Sequence, residues 1–167
     1  MAILNKKDLA CYIINKYQNE YNKEISPIKL QKSLYFLFAM WGGNVANAKF
    51  ESKEDTEDDE KYEAYDTYLF DACFEAWRYG PVDKEVYKWF KNNELDCDTN
   101  VDIFSDSKIS YIEDVKQYIN ELLDKIFKIS DFGLVDITHS DDCWKNAIKT
   151  ENKIISNEDI IKDYIVK

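Results

Sequence analysis

Apolar positions along this chain fall mostly at helical spacing. In residues 5–22, Leu9, Tyr12, Ile13, Tyr17 and Tyr21 recur at three and four, while Lys6, Lys7, Asn15 and Lys16 take the other face. Asn5, with Asp8 three residues on, predicts the cap of that first helix. A second helix is announced by Ser26 at the N-cap and Pro27 at the first helical position. Leu30, Leu34, Leu37, Phe38 and Trp41 form its apolar stripe, which Phe36 and Met40 widen. The spacing makes it the central helix, with Lys29, Gln31 and Lys32 on a solvated side and Gly42-Gly43 as its stop.

Period and residue type then change. Residues 65–79 are rich in Tyr, Phe and Thr, which predicts a short β-ribbon. That segment leads into Phe74-Glu75-Ala76-Trp77-Arg78-Tyr79-Gly80-Pro81-Val82, the densest stretch of the chain. An extended run through Tyr79, a corner at Gly80-Pro81 and a helix capped by Asp83 are expected, with Val82, Val86, Tyr87 and Phe90 facing inward. Residues 92–108, rich in Asn, Asp and Ser, read as an irregular connection. Ile112, Val115, Ile119, Leu122 and Ile126 predict a long helix over 110–128 with Ser110 and Glu113 as a capping box. Short helices are expected from Ser130-Asp131, after Ser140-Asp141-Asp142, and from Ser156. The expectation is a mainly α chain: one compact helical domain over 1–167 of six to seven helices, with a β-ribbon around 65–79.

Composition narrows the function. The chain has 167 residues, 33 acidic against 22 basic, and a net charge of −11. Such a balance argues against direct nucleic-acid binding, which rests on Lys and Arg neutralising phosphates. It suits a partner with a basic face. Residues 50–63 carry eight carboxylates against Lys53 and Lys61, with no apolar period, and read as a solvated acidic loop. That loop lacks the glycine and alternating ligands of a calcium loop, so no metal site is expected there. Cys11, Cys73, Cys97 and Cys143 show no Cys-x-x-Cys spacing. Neither a zinc site nor a disulfide framework is expected, and no apolar run spans a membrane or forms a signal peptide. The reading is a reduced, cytoplasmic protein that does not engage membranes.

Catalytic parts are missing from the pattern. There is one histidine, His139, and a nucleophile paired with it would have to be Cys143, across a helix start at Ser140. No Gly-x-Ser-x-Gly, phosphate-cradling glycine loop or histidine-rich metal set occurs. The expectation is a non-enzyme without cofactor, catalytic residue or metal. A helix-turn-helix regulator is disfavoured by the long connection around Tyr21–Pro27 and by the charge.

Lys29-Leu30-Gln31-Lys32 with Tyr35, Phe74 through Val82 with Tyr87, Thr138-His139 with Trp144, and a closing Ile160/Tyr164 helix occur in that order. As a set, over about residues 5–165, they resemble the SocA-like antitoxins, also called the Panacea domain, found in bacteria and phages. The acidic 50–63 stretch departs from that pattern by expansion. The resemblance implies an antitoxin that neutralises a cognate toxin by direct protein contact. It also leaves open a proteolytic adaptor that hands its toxin to a protease, a phage-associated effector bound to another host protein, and a DNA-binding regulator. The residues that would form or support the partner-binding face are Lys29, Gln31, Tyr35, Trp77, Arg78, Tyr79, Gly80, Pro81, Val82, His139 and Trp144.

Overall fold

The computed structural model describes residues 2–52, 68–98, 100–105 and 109–165, and the side chains of all of these except 48–52. From residue 53 onward the acidic 50–63 stretch lies outside the described residues, as does the 65–67 start of the expected ribbon. Among the described residues the chain is mainly α, with seven helices and one two-stranded antiparallel sheet.

Five of the seven helix starts among the described residues follow from a side chain that satisfies free N–H groups. Asn5 accepts from Asp8 N to open α1 (Lys6–Tyr21), and Asn22 closes it in a left-handed conformation at φ 55°. Ser26 Oγ accepts from Lys29 N at the start of α2 (Pro27–Ser52). Asp83 caps α3 (Lys84–Lys91), and Ser130 caps α5 (Asp131–His139) through Gly133 N. Ser156 caps α7 (Asn157–Asp163), whereas Asp141 begins α6 (Asp142–Ala147) without a side-chain cap. The expected Ser110–Glu113 box does not form. α4 (Ile112–Phe127) starts after Tyr111 on backbone geometry, with Ile112 N donating to Ile109 O.

The second helix is central and longer than expected. It passes straight through Gly42-Gly43, because the pair provides close approach rather than a stop. A Cβ on Gly42 would meet Ile161 Cγ1 at 2.4 Å, and one on Gly43 would meet the Tyr164 carbonyl at 2.3 Å. α7 and the residue after it therefore lie directly on α2. Gly43→Ala is expected to push this segment off and to cost about 1–3 kcal/mol by overpacking against backbone that cannot yield. Thermal unfolding of the variant checks it.

From Leu30 to Ala39 every side chain of α2 is buried, polar ones included. The solvated side expected for Lys29, Gln31 and Lys32 does not exist, because other elements cover it and supply carbonyl partners (below). Leu34, Leu37 and Phe38 meet Leu9 and Ile13 of α1, Ile119 and Leu123 of α4, and Phe70 and Phe74 in one core.

The ribbon is β1 (Phe74–Trp77) against β2 (Gly80–Asp83), in register Phe74↔Asp83 through Trp77↔Gly80. The corner is therefore Arg78-Tyr79, two residues before the expected Gly80-Pro81, which instead opens the return strand. Gly80 has φ +102°, a region closed to most residues with a Cβ, so it sets the strand direction just after the turn. Pro81 has no N–H to give, and its partner Ala76 donates to Lys153 O instead, at 2.7 Å. Phe74 O accepts from Ile155 N, so residues 153–155 cover the outer edge of β1.

Two more expectations change. Tyr87 faces outward, 38% exposed, with its ring against Trp77, while Val86 is fully buried. Cys11 and Cys97, expected as thiols, are joined in a disulfide across 86 residues, because α1 and the 92–105 connection meet there. The connection itself carries no helix or strand in its described residues beyond Asn92.

Candidate functional site: the Arg78–Tyr79 corner and its buried support

The hairpin tip is held by a ring of polar side chains beneath it. Gln31 brackets Asp83 like a strand neighbour: its Oε1 accepts from Asp83 N at 2.8 Å and its Nε2 donates to Asp83 O at 3.2 Å. Lys32 Nζ donates to Pro81 O at 3.0 Å. Lys32 is 1% exposed, and burial without a compensating carboxylate pushes its pKa down to about 7. The missing Cβ of Gly80 leaves room for it, since an added Cβ would lie 2.8 Å from Lys32 Cε and 2.4 Å from Thr138 Oγ1.

Asp83 is the other anchor. It is fully buried and accepts from Cys73 N, Glu85 N and Val86 N, while Lys6 Nζ sits 3.1 Å from its Oδ2. Lys6 also meets Glu85 at 2.7 Å and Cys73 Sγ at 3.4 Å. Burial alone would lower the Lys6 pKa, but the Glu85 hydrogen bond and the Asp83 charge outweigh it and raise the pKa above the ordinary value. Cys73, Asp83 and Glu85 are also the group among the described residues that brings three metal-type ligand atoms within 4.8 Å of one another. Lys6 already supplies the cation there, and burial pushes the Cys73 thiol up to about 11, so it is a poor thiolate donor.

From the other side, α5 and α6 clamp the tip. Trp144 Nε1 donates to Trp77 O at 2.9 Å, and His139 Nε2 lies 2.9 Å from Arg78 O. A carbonyl can only accept, so Nε2 carries the proton. The His139 and Trp144 rings stack at 4.2 Å. Trp77 is only part-buried; its Nε1 donates to Glu75. The sequence-derived residues Gln31, Trp77 through Val82, His139 and Trp144 thus come together in one assembly.

Lys29 and Tyr35 lie apart from the tip. Lys29 Nζ donates to the carbonyls of Phe127, the last residue of α4, and Ile129 just beyond it, and pairs with Asp131 at 3.5 Å, tying α2 to the α4–α5 connection. Tyr35 is fully buried; it and Tyr164 both donate to Asp141 Oδ2, at 2.6 and 2.8 Å. Burial raises the pKa of Asp141, although the two tyrosine hydroxyls work in the opposite direction. Cys143, next to this group, is pushed up to about 12 by burial, and α5 ends at His139 before α6 begins. No activated Cys–His pair is built.

What faces solvent at the corner is aromatic and cationic. Tyr79 is 46% exposed and packs edge-on against Phe132, itself 63% exposed. The Arg78 guanidinium lies 5.5 Å from the Tyr79 ring centre. Ile137, five residues further along α5, is also exposed. On the other side of the hairpin, Ala76, Trp77, Arg78, Trp144, Ile148 and Lys153 line an open, largely apolar cleft of about 640 Å³. Phe132 and Ile137 were absent from the sequence-derived set. The available signal was an apolar residue at the second position after the Ser130 cap, where solvent is the usual neighbour.

No helix among the described residues is long and apolar enough to cross a membrane. No curated protein and no solved structure matches the chain. A family model described as antitoxin SocA-like, Panacea domain, matches residues 56–145, which takes in the hairpin, α3, α4, α5 and the start of α6. That match spans more than half of the chain, and with it the sequence belongs to the SocA-like, Panacea-domain antitoxin family.

Proposed function

We propose that this protein is an antitoxin that acts as a single-domain protein and neutralises a cognate protein toxin by direct contact, with the Arg78–Tyr79 corner as the centre of the contact surface. The observation that carries this reading is the pairing of an exposed Arg–Tyr–Phe group with a rigid mount. Tyr, Trp and Arg are enriched among the side chains that dominate interface energetics, and holding such side chains in place on binding costs conformational entropy. A mount built from Gln31, Lys32, Asp83, His139 and Trp144 keeps that cost low by fixing the tip before any partner arrives.

In this reading the residues of the expected face divide by role. Arg78 and Tyr79, with Phe132, touch the toxin. Trp77, His139 and Trp144 border the contact and hold its backbone. Gly80, Pro81, Val82 and Gln31 support it from within, while Lys29 and Tyr35 hold the surrounding helices together. Catalysis has no place in the scheme; neutralisation is coverage of the toxin. The net charge of −11 favours encounter with a basic toxin face, so association is expected to slow as salt rises, while dissociation, governed by the apolar corner, changes little. Stopped-flow binding at two ionic strengths checks this.

The experiment that tests the function is expression of the neighbouring open reading frame alone and together with this chain, scored by growth and co-purification. Toxicity of the neighbour alone, with rescue and co-purification on co-expression, is the expected result. A harmless neighbour, or rescue without a complex, would overturn the reading and bring forward a host protein as the partner.

A further inference from the structure

We infer that the Cys11–Cys97 disulfide is a redox-sensitive clamp that fastens the 92–105 connection to α1 and opens under dithiol reductants while the rest of the fold stays intact. The clamp joins a helix of the core to a segment with few other tertiary ties among its described residues. Cys11 sits in the middle of α1, and Cys97 lies in the connection between α3 and α4. Every backbone hydrogen bond described for residues 92–105 runs to a partner within five residues, such as Glu94 N to Trp89 O and Val101 N to Asp98 O. Beyond the disulfide, the tertiary anchors among its described residues are Phe104, buried edge-on against Tyr12 at 5.3 Å, and Ile103, partly buried against the core. Val101, three residues before that anchor, is 56% exposed.

The bond is also reachable. Both cysteines are only half-buried, and Cys11 lines an open groove of about 540 Å³ between α1, the connection and Asn120 of α4. Asp8, Tyr12, Asp96 and Ile103 share that groove, so release of the connection removes one of its walls. The other two cysteines do not compete: Cys73 and Cys143 are free and held as thiols by burial.

Opening proceeds by thiol–disulfide exchange. A thiolate of the reductant attacks one sulfur and expels the other as thiolate. The second thiol of the reductant then displaces the first protein sulfur. The reductant leaves as its own disulfide, and Cys11 and Cys97 take up two electrons and two protons as thiols. α1 keeps its caps and its core face, since neither uses sulfur.

The test uses the full chain, oxidised by glutathione disulfide or reduced by dithiothreitol, with Cys97→Ser as the permanently open form. Thiols are counted by alkylation, far-UV circular dichroism reports the helices, and limited chymotrypsin digestion reports the connection. The expected result is two alkylated thiols in the oxidised protein and four in the reduced one. Helical signal is unchanged, and cleavage between residues 95 and 104 is at least about tenfold faster on reduction. Cys97→Ser should be cleaved at the fast rate with or without reductant. Four free thiols after oxidation, equal cleavage in both states, or loss of helical signal on reduction would each overturn the clamp.

Discussion

Asp83→Ala is expected to remove about 4 kcal/mol of folding stability, the largest loss from any single side chain of the hairpin mount. Two effects combine. The N-cap of α3 disappears, since Asp83 Oδ1 accepts from both Glu85 N and Val86 N, and a lost cap costs about 1 kcal/mol. Lys6, 7% exposed, loses its buried partner, and breaking such a pair costs about 3–5 kcal/mol when the remaining charge is stranded. Glu85 stays within 2.7 Å of Lys6, but it is half exposed, so it recovers only part of that. The expected loss sits at the low end of the sum because the two effects share one carboxylate. Asp83→Asn keeps an acceptor for the cap and is expected to lose about half as much. Urea denaturation of the three proteins checks the order. An Asp83→Ala loss under about 1 kcal/mol would show that the buried Lys6–Asp83 pair does not hold the hairpin.

Lys32→Met is expected to stabilise the protein, and by an amount that shrinks as pH rises. The Lys32 amine has its pKa lowered from 10.5 to about 7 by burial alone, with Pro81 O as its one hydrogen-bond partner. A depressed lysine pKa means that the fold disfavours the protonated amine relative to the unfolded chain: below about pH 7 the charge is buried at a cost, and between pH 7 and 10.5 folding sheds the proton instead. The resulting penalty acts in full below about pH 7, on the order of 4–5 kcal/mol. It fades between pH 7 and pH 10.5 and is absent above, where both states are neutral. Methionine removes the penalty but strands the Pro81 carbonyl, at about 1–3 kcal/mol. The variant should therefore gain about 2–3 kcal/mol at pH 6 and almost nothing at pH 9. Denaturation at the two pH values reads the difference directly; parallel stability curves would mean that Lys32 is not held neutral in the fold.

These two side chains also mark where sequence reading stopped. Helix starts were legible because their signal is local: Asn5, Ser26, Asp83, Ser130 and Ser156 all cap as their spacing indicates. The family resemblance was legible for the same reason, and of its motifs the Phe74–Val82 stretch and Thr138-His139 with Trp144 fall within the matched residues 56–145. Burial of Lys29, Gln31 and Lys32 was not, because their partners lie between 49 and 100 residues away in sequence. An apolar period shows one stripe and says nothing of carbonyls brought over the opposite face. Gly42-Gly43 misled for a related reason: glycine marks a helix end or a close contact, and only the presence of Ile161 and Tyr164 decides between them. The hairpin corner was displaced by two residues because Gly-Pro reads as a turn, whereas here the positive φ of Gly80 follows the turn. The Cys11–Cys97 bond left no trace in spacing at all.

The grouping of the residues at the corner was legible, and their exposure was not. Trp77 to Val82, His139 and Trp144 do assemble, yet most of that group is buried or half-buried. Phe132, which completes the exposed face beside Tyr79, belongs to a helix whose outward side carries no motif.

The proposal that the corner is the centre of toxin binding is tested most directly by the affinity of Arg78→Ala/Tyr79→Ala for the toxin that the co-expression experiment identifies, measured by calorimetry beside the unaltered protein. Both side chains are exposed, so the double variant should unfold within about 1 kcal/mol of the parent. Its affinity should fall by at least about thirtyfold, as loss of a central Arg–Tyr pair costs about 2 kcal/mol or more. Unchanged affinity in a folded double variant would contradict the assignment and place the contact elsewhere on the molecule.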